Sequence, residues 1–189
     1  MVATVNAGVR TDLITYSDLV WQLALQPDTP LVSPNSQDLN RALRLVIDQR
    51  LILQEAEKLP TIAPTAEEVK AARDQLSKAF PLGVFQQRLM LVGLTAEKLD
   101  EILEQRVRIE KYLDFRFRNF VLISPKEITD YYNDIYVPRV RARRQIVPTL
   151  EEARAEIEST LTEAKIESDT DAFLDSARER AEIVTLSAV

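Results

Sequence analysis

Residues 36–59, SQDLNRALRLVIDQRLILQEAEKL, carry the pattern on which the fold turns. Leu39, Leu43, Val46, Ile47 and Leu51 recur at helical spacing on one face, and Leu45, Ile52, Ala56 and Leu59 on another. A surface helix needs one apolar stripe; two faces predict a central helix packed on both sides. Everything else can be placed around it.

On the N-terminal side, Pro27, Pro30 and Pro34 mark a loop over residues 27–34. Before it, Thr15 followed by Asp18 forms a capping-box signal for a helix over residues 16–25, which carries Leu19, Val20, Leu23 and the single tryptophan, Trp21. Earlier still, residues 2–6 are short and β-branched, and residues 10–14 form a second extended piece after Gly8.

On the C-terminal side, Thr65 and Glu68 box a helix whose Val69, Ala72, Leu76 and Phe80 keep helical spacing until Pro81. Residues 82–92 form a shorter helix presenting Phe85, Leu89 and Val92, with Gly93 placed to cap it. Residues 96–120 follow as a rod of about 37 Å at 1.5 Å per residue. The clearest start signal is Ser124 as cap, Pro125 at the first helical position and Glu127 closing the box, with Ile123 able to staple onto Ile128. That helix runs to Tyr136. Residues 137–148, with Arg139, Arg141, Arg143 and Arg144, show no helical stripe and read as an extended connector. Thr149 and Glu152 box a further helix bearing Leu150, Ala153, Ile157, Leu161 and Ala164; a last helix covers residues 169–180, and residues 181–186 are β-prone. Short strands at opposite ends of a helical chain predict that they pair with each other. The expected class is mostly all-α with a small terminal sheet.

Composition narrows the chemistry. The 189 residues contain no His and no Cys, which removes the usual neutral-pH general base, thiolate nucleophiles and the nitrogen and sulfur ligands of zinc sites. Three glycines are too few for a barrel or a phosphate-cradling loop architecture. Thirty acidic against 24 basic residues give a net charge of −6, a field that opposes nucleic acid. No apolar run reaches the roughly 20 residues a membrane span needs, and residues 1–5 carry no export signal.

The order of the blocks resembles the chaperone module of SurA-like periplasmic folding factors, among the parvulin-linked chaperones. The matching pieces are Val5-Asn6 with residues 14–19 (ITYSDL), residues 43–56 (LRLVIDQRLILQEA), residues 64–69 (PTAEEV), residues 93–99 (GLTAEKL), residues 105–113 (QRVRIEKYL), and residues 124–128 (SPKEI) with Tyr131-Tyr132. The stretch between Asn6 and Ile14 is longer than is usual in that family. The resemblance implies a helical chaperone domain over residues 1–136, the connector at 137–148, and residues 149–189 returning to complete the same module. It also implies an ATP-independent, periplasmic chaperone for unfolded or outer-membrane clients, with no cofactor or metal. A parvulin domain needs histidines and a Gly-rich sheet; this sequence has no His and no glycine after Gly93, so no catalytic residue and no prolyl isomerase activity are expected. Residues 141–147 (RARRQIV) look like the opening strand of such a domain, but the residues beyond cannot complete it. The rival readings are a degenerate prolyl isomerase and a structural homodimer that exchanges a terminal strand.

Trp21, Phe80, Phe85, Leu89 and Met90 are the candidate peptide-binding residues, their alternative being ordinary helix core. Arg106, Arg108, Lys111, Arg116 and Arg118, interleaved with Tyr112 and Phe115, allow phosphate contacts and base stacking, but read better as a solvated helix face. Asp130 with Asp134, and Glu151 with Glu152, are spaced for acid–base chemistry but read better as caps and solvated faces.

Overall fold

The two-faced stretch forms α2, Ser36–Ala56, begun by Asn35, whose side chain accepts from the Asp38 N–H. Leu39, Leu43 and Val46 are buried along one stripe, and towards the C-terminal end residues 51–54 are buried in succession, so the helix there is enclosed on all sides. The computed structural model describes residues 1–8, 10–31 and 33–187; Val32, in the loop expected over 27–34, lies outside them.

α1, Tyr16–Ala24, begins with the expected box: Thr15 and Asp18 exchange side-chain and backbone hydrogen bonds. Strands β1 (Ala3–Asn6), β2 (Thr11–Ile14) and β3 (Glu182–Thr185) form an antiparallel sheet in the order β2-β1-β3. Ala3 stands opposite both Ile14 and Thr185, so the two ends of the chain pair on either side of β1. Ala3, Val5 and Ile14 are fully buried on the inner face. The middle strand is tied to α2 by Gln54, itself 1% exposed. Its Oε1 accepts from the Ala7 N–H at 3.1 Å, and its Nε2 donates to Val5 O at 3.3 Å and Asp12 Oδ2 at 2.9 Å.

α3 (Ala66–Lys78) carries the Thr65–Glu68 box, and α4 (Val84–Leu91) follows Gly83, whose φ of 78° only glycine adopts without strain. α5 runs over Ala96–Arg116, four residues short of the expected end, and passes into a single tight turn, Arg118–Phe120. The FRFRNF run there is poor in strong helix formers.

The chain divides into two compact units, residues 1–112 with 174–189, and residues 113–173. The C-terminal strand thus returns to the N-terminal unit as the sequence predicts, whereas residues 113–136 belong to the other.

The second unit departs most from expectation. α6 (Pro125–Tyr131) has its box and first-position proline, and Ile123 packs against the cluster holding Ile128. The helical path does not stop at Tyr136: a wide π turn, Tyr132–Tyr136, leads into α7, Val137–Ala142. The extended connector expected over 137–148 is therefore helical in its first half. Pro138 lacks an N–H and its ring would strike the carbonyl of residue 134 in a regular helix; the wide turn relieves that collision. Val140, with no stripe to announce it, is buried with Ile128, Tyr136, Ala153 and Ile157. The RARRQIV segment is accordingly a helix end and turn, not a strand. Likewise the two helices expected over 149–164 and 169–180 are one, α8, Leu150–Arg180. Residues 165–168 contain neither proline nor glycine, and Ile166 is buried, so nothing interrupts the backbone ladder.

α7 ends in a Schellman motif: the Gln145 N–H donates to Val140 O and the Arg144 N–H to Arg141 O, which puts Arg144 at a φ of 57°. A side chain in that left-handed conformation costs about 1 kcal/mol. Replacing Arg144 by Gly is expected to stabilise the second unit by about that amount, read as a higher urea midpoint. An unchanged or lower midpoint would contradict the assignment.

α6 and α8 are joined by Lys165, whose Nζ lies 2.8 Å from Glu127 Oε1 and donates to Leu122 O. The Lys165 ammonium, then the Ser124 hydroxyl and N–H, hold the Glu127 carboxyl at about 2, against an ordinary 4.5. A depressed carboxyl stabilises the fold fully above its unfolded value and progressively less as pH falls towards the folded one. The stability gap between wild type and Glu127→Gln should therefore be constant above about pH 5 and close between pH 4.5 and 2, in urea titrations at fixed pH. A gap that ignores pH would remove Glu127 from this role.

Candidate functional site

The helical lobe of the first unit is built on Leu25, Phe80, Phe85, Leu89, Leu94, Leu99 and Leu103, all buried together. Phe80 and Phe85 pack with ring centroids 5.2 Å apart. Gly93, at a φ of 63°, closes α4 through a Schellman motif in which the Leu94 N–H donates to Leu89 O at 2.9 Å. Leu89 and Leu94 bury against the lobe as that motif's hydrophobic pair.

Arg88 anchors α4 to the end of α1. Its Nε donates to Ala24 O at 2.9 Å, and Nη2 lies 2.8 to 2.9 Å from the carbonyls of Leu23, Gln26 and Thr29. These carbonyls lie at and just beyond the C-terminus of α1, where a cation is also favoured by the macrodipole; those of Leu23 and Gln26 also accept from the Gln26 and Thr29 N–H groups. Burial pushes the guanidinium below its ordinary value.

With its inner face fixed, α4 still has apolar side chains pointing outward. Met90 is 73% exposed, Leu91 63%, and Leu82 just before the helix is fully exposed. Beside Met90 a groove of about 280 Å³ is floored by Phe85, Leu89, Leu94 and Leu99 and edged by Arg73 and Asp74 of α3. Arg73 is held there by Ala96 O and Asp100. The arrangement offers adaptable apolar contact with charges and the Ser77 hydroxyl at the rim.

The five residues singled out by sequence take different places. Phe80, Phe85 and Leu89 are core, although Phe85 and Leu89 also form the groove floor; Met90 is on the surface. Trp21 is partly buried against the lobe, donates from Nε1 to Val92 O at 3.2 Å and lies under the Lys98 ammonium. Leu82 and Leu91 were not among the candidates. Leu82 precedes α4, and α4 spreads Val84, Phe85, Leu89, Met90 and Leu91 around its axis with Gln86, Gln87 and Arg88 between them, so the spacing does not single out Leu91 as outward.

In the second unit Phe120, Leu122 and Ile146 are strongly exposed and Phe115 and Ile135 half exposed. The basic arm is largely neutralised. Arg108 pairs with Glu104 and Lys111 with Glu68, while Arg118 pairs with both Asp114 and Glu163. Tyr112 is buried, but Phe115 is not. Asp130 pairs with Lys126, Glu152 caps Thr149 and Glu151 pairs with Arg154. Among the described residues, no helix is long and apolar enough to cross a membrane.

The sequence matches no family model. A search of curated proteins likewise finds no match.

Proposed function

We propose that this chain is an ATP-independent holding chaperone that binds unfolded or extended client polypeptides without isomerising their prolines. The observation that carries the reading is the exposure of Leu82, Met90 and Leu91 on and just before α4, with Met90 lining the groove floored by Phe85, Leu89 and Leu99. Exposed apolar side chains next to an apolar groove suit an interaction site, and a flexible thioether such as Met90 adapts to varied side chains. The resemblance to SurA-like factors supports the same reading and adds the periplasm as compartment and outer-membrane proteins as clients. The lack of any His, and of glycine after Gly93, supports a binding rather than a catalytic role.

The test is binding of a fluorescent, unstructured apolar peptide, followed by anisotropy. The wild type is expected to bind in a saturable way, and the triple substitution Leu82→Ser, Met90→Ser, Leu91→Ser to weaken binding by tenfold or more, since about 1 kcal/mol is lost per buried apolar side chain removed. Equal affinity of the two proteins would move the site away from α4.

A further inference from the structure

A second, smaller cavity of about 30 Å³ lies among α1, α2 and α5, within the first unit. One water-sized occupant needs roughly 10–15 Å³ on this measure, so the space holds one or two such particles and excludes a peptide, a nucleotide or any larger organic group. Its walls are unusually rich in donors. Arg50 enters from α2 and Arg106 from α5, with Asp18, Gln22 and Gln105 around them.

The charges in this wall do not balance. Arg106 Nη2 donates to Gln22 Oε1 at 2.9 Å, and Arg50 Nη1 donates to Gln105 Oε1 at 2.9 Å; both acceptors are neutral. The one carboxylate, Asp18, comes only to 4.0 Å from Arg50, and its other oxygen is taken by the N–H and hydroxyl of Thr15. Nε of Arg50 and Nε of Arg106 are both buried without an acceptor. Two guanidinium groups therefore face one carboxylate already committed to a helix cap, leaving one positive charge without a counter-charge within 4.0 Å beside a small, partly open cavity. Burying such a charge unpaired is strongly unfavourable.

We propose that this cavity binds one small monovalent anion of chloride size between Arg50 and Arg106. The anion supplies the missing acceptor and the missing negative charge together. Because the walls come from three separate helices, the bound ion clamps α1, α2 and α5. Burial alone already pushes the Arg106 guanidinium below its ordinary value, in keeping with a charge that lacks a nearby acid.

The experiment has a crystallographic and a solution arm, both on the whole chain. Crystals grown in bromide are expected to show an anomalous peak between Arg50 and Arg106. In solution, chloride and bromide are expected to raise the thermal midpoint at constant ionic strength, with gluconate, too large to enter, as the control. Above the dissociation constant each tenfold rise in chloride should raise the folded-to-unfolded ratio about tenfold. Arg106→Gln should abolish the chloride-specific part; should that variant not fold, chloride-35 NMR line broadening of the wild type, reversed by excess bromide, reads the same site. A cavity holding only water in bromide crystals overturns the proposal. A bromide peak without any chloride-specific stabilisation means an adventitious ion only, and overturns it equally.

Discussion

Arg88→Ala is expected to lower the stability of the first unit by about 3 kcal/mol, a fall of more than a hundredfold in the folded-to-unfolded ratio. The reason lies in the acceptors left behind. Arg88 serves the carbonyls of Leu23, Ala24, Gln26 and Thr29, where the backbone leaves α1; Leu23 O and Gln26 O would keep a turn N–H on its removal, so most of the loss falls on Ala24 O and Thr29 O. Charge-assisted hydrogen bonds are worth about 1.5–3 kcal/mol each when buried; the site is only partly buried, so water recovers some of the loss and the sum is far below four full bonds. Arg88→Lys keeps the charge but cannot span the carbonyls with one ammonium, and should recover less than half of the loss. Urea unfolding followed through Trp21, the single tryptophan and a residue of this unit, measures both. Near-wild-type stability of Arg88→Ala would show that the capping carbonyls are served by water.

Gln54→Leu is expected to cost a similar amount, about 3 kcal/mol, although it places an apolar residue of nearly equal size in a buried position. The leucine leaves Val5 O in the central strand, and the Ala7 N–H just past its end, without their side-chain partner. Gln54→Glu separates this account from a simple packing effect. At neutral pH a carboxylate there would lie against Asp12 and the Val5 carbonyl, where Gln54 Nε2 now donates, and should be more destabilising than leucine. On acidification the protonated side chain regains a donor, so the deficit relative to wild type should shrink as pH falls. A deficit that grows towards acid pH would contradict the hydrogen-bond assignment.

How much of this was legible in the sequence depends on the kind of signal. The cap boxes at Thr15, Thr65, Ser124 and Thr149 form as read, because each is a local exchange of hydrogen bonds between residues three apart. The pairing of the terminal strands also emerges, and the two-faced pattern of α2 holds in part: residues 51–54 and Ala56 are buried, but Leu45 of the second face is exposed and Leu59 lies beyond the helix. What was hidden depends on tertiary context. Pro138 reads as a stop, and only a wide turn placed just before it lets the helix continue to Ala142. The continuity of α8 rests on the absence of a breaker across residues 165–168, a weaker cue than the change of apolar stripe that suggested two helices.

At the candidate site the limit is different. Phe85, Leu89 and Met90 are all apolar and lie within six positions of one another on a short helix without a polar face, so periodicity does not say which side meets water. Arg88, in the same helix, reads as a solvent-facing charge, yet its partners are backbone carbonyls some sixty residues earlier in the chain. No local pattern announces such a contact.

The central claim is that the outward face of α4 holds unfolded polypeptide without an energy source. Its most direct measurement is light scattering of a denatured client diluted into buffer with increasing amounts of this chain and no nucleotide. The account predicts that scattering falls as the chain is added, and that the folded Leu82→Ser, Met90→Ser, Leu91→Ser protein leaves it unchanged. Undiminished scattering at several-fold molar excess of the wild type, or equal protection by the triple variant, would contradict it.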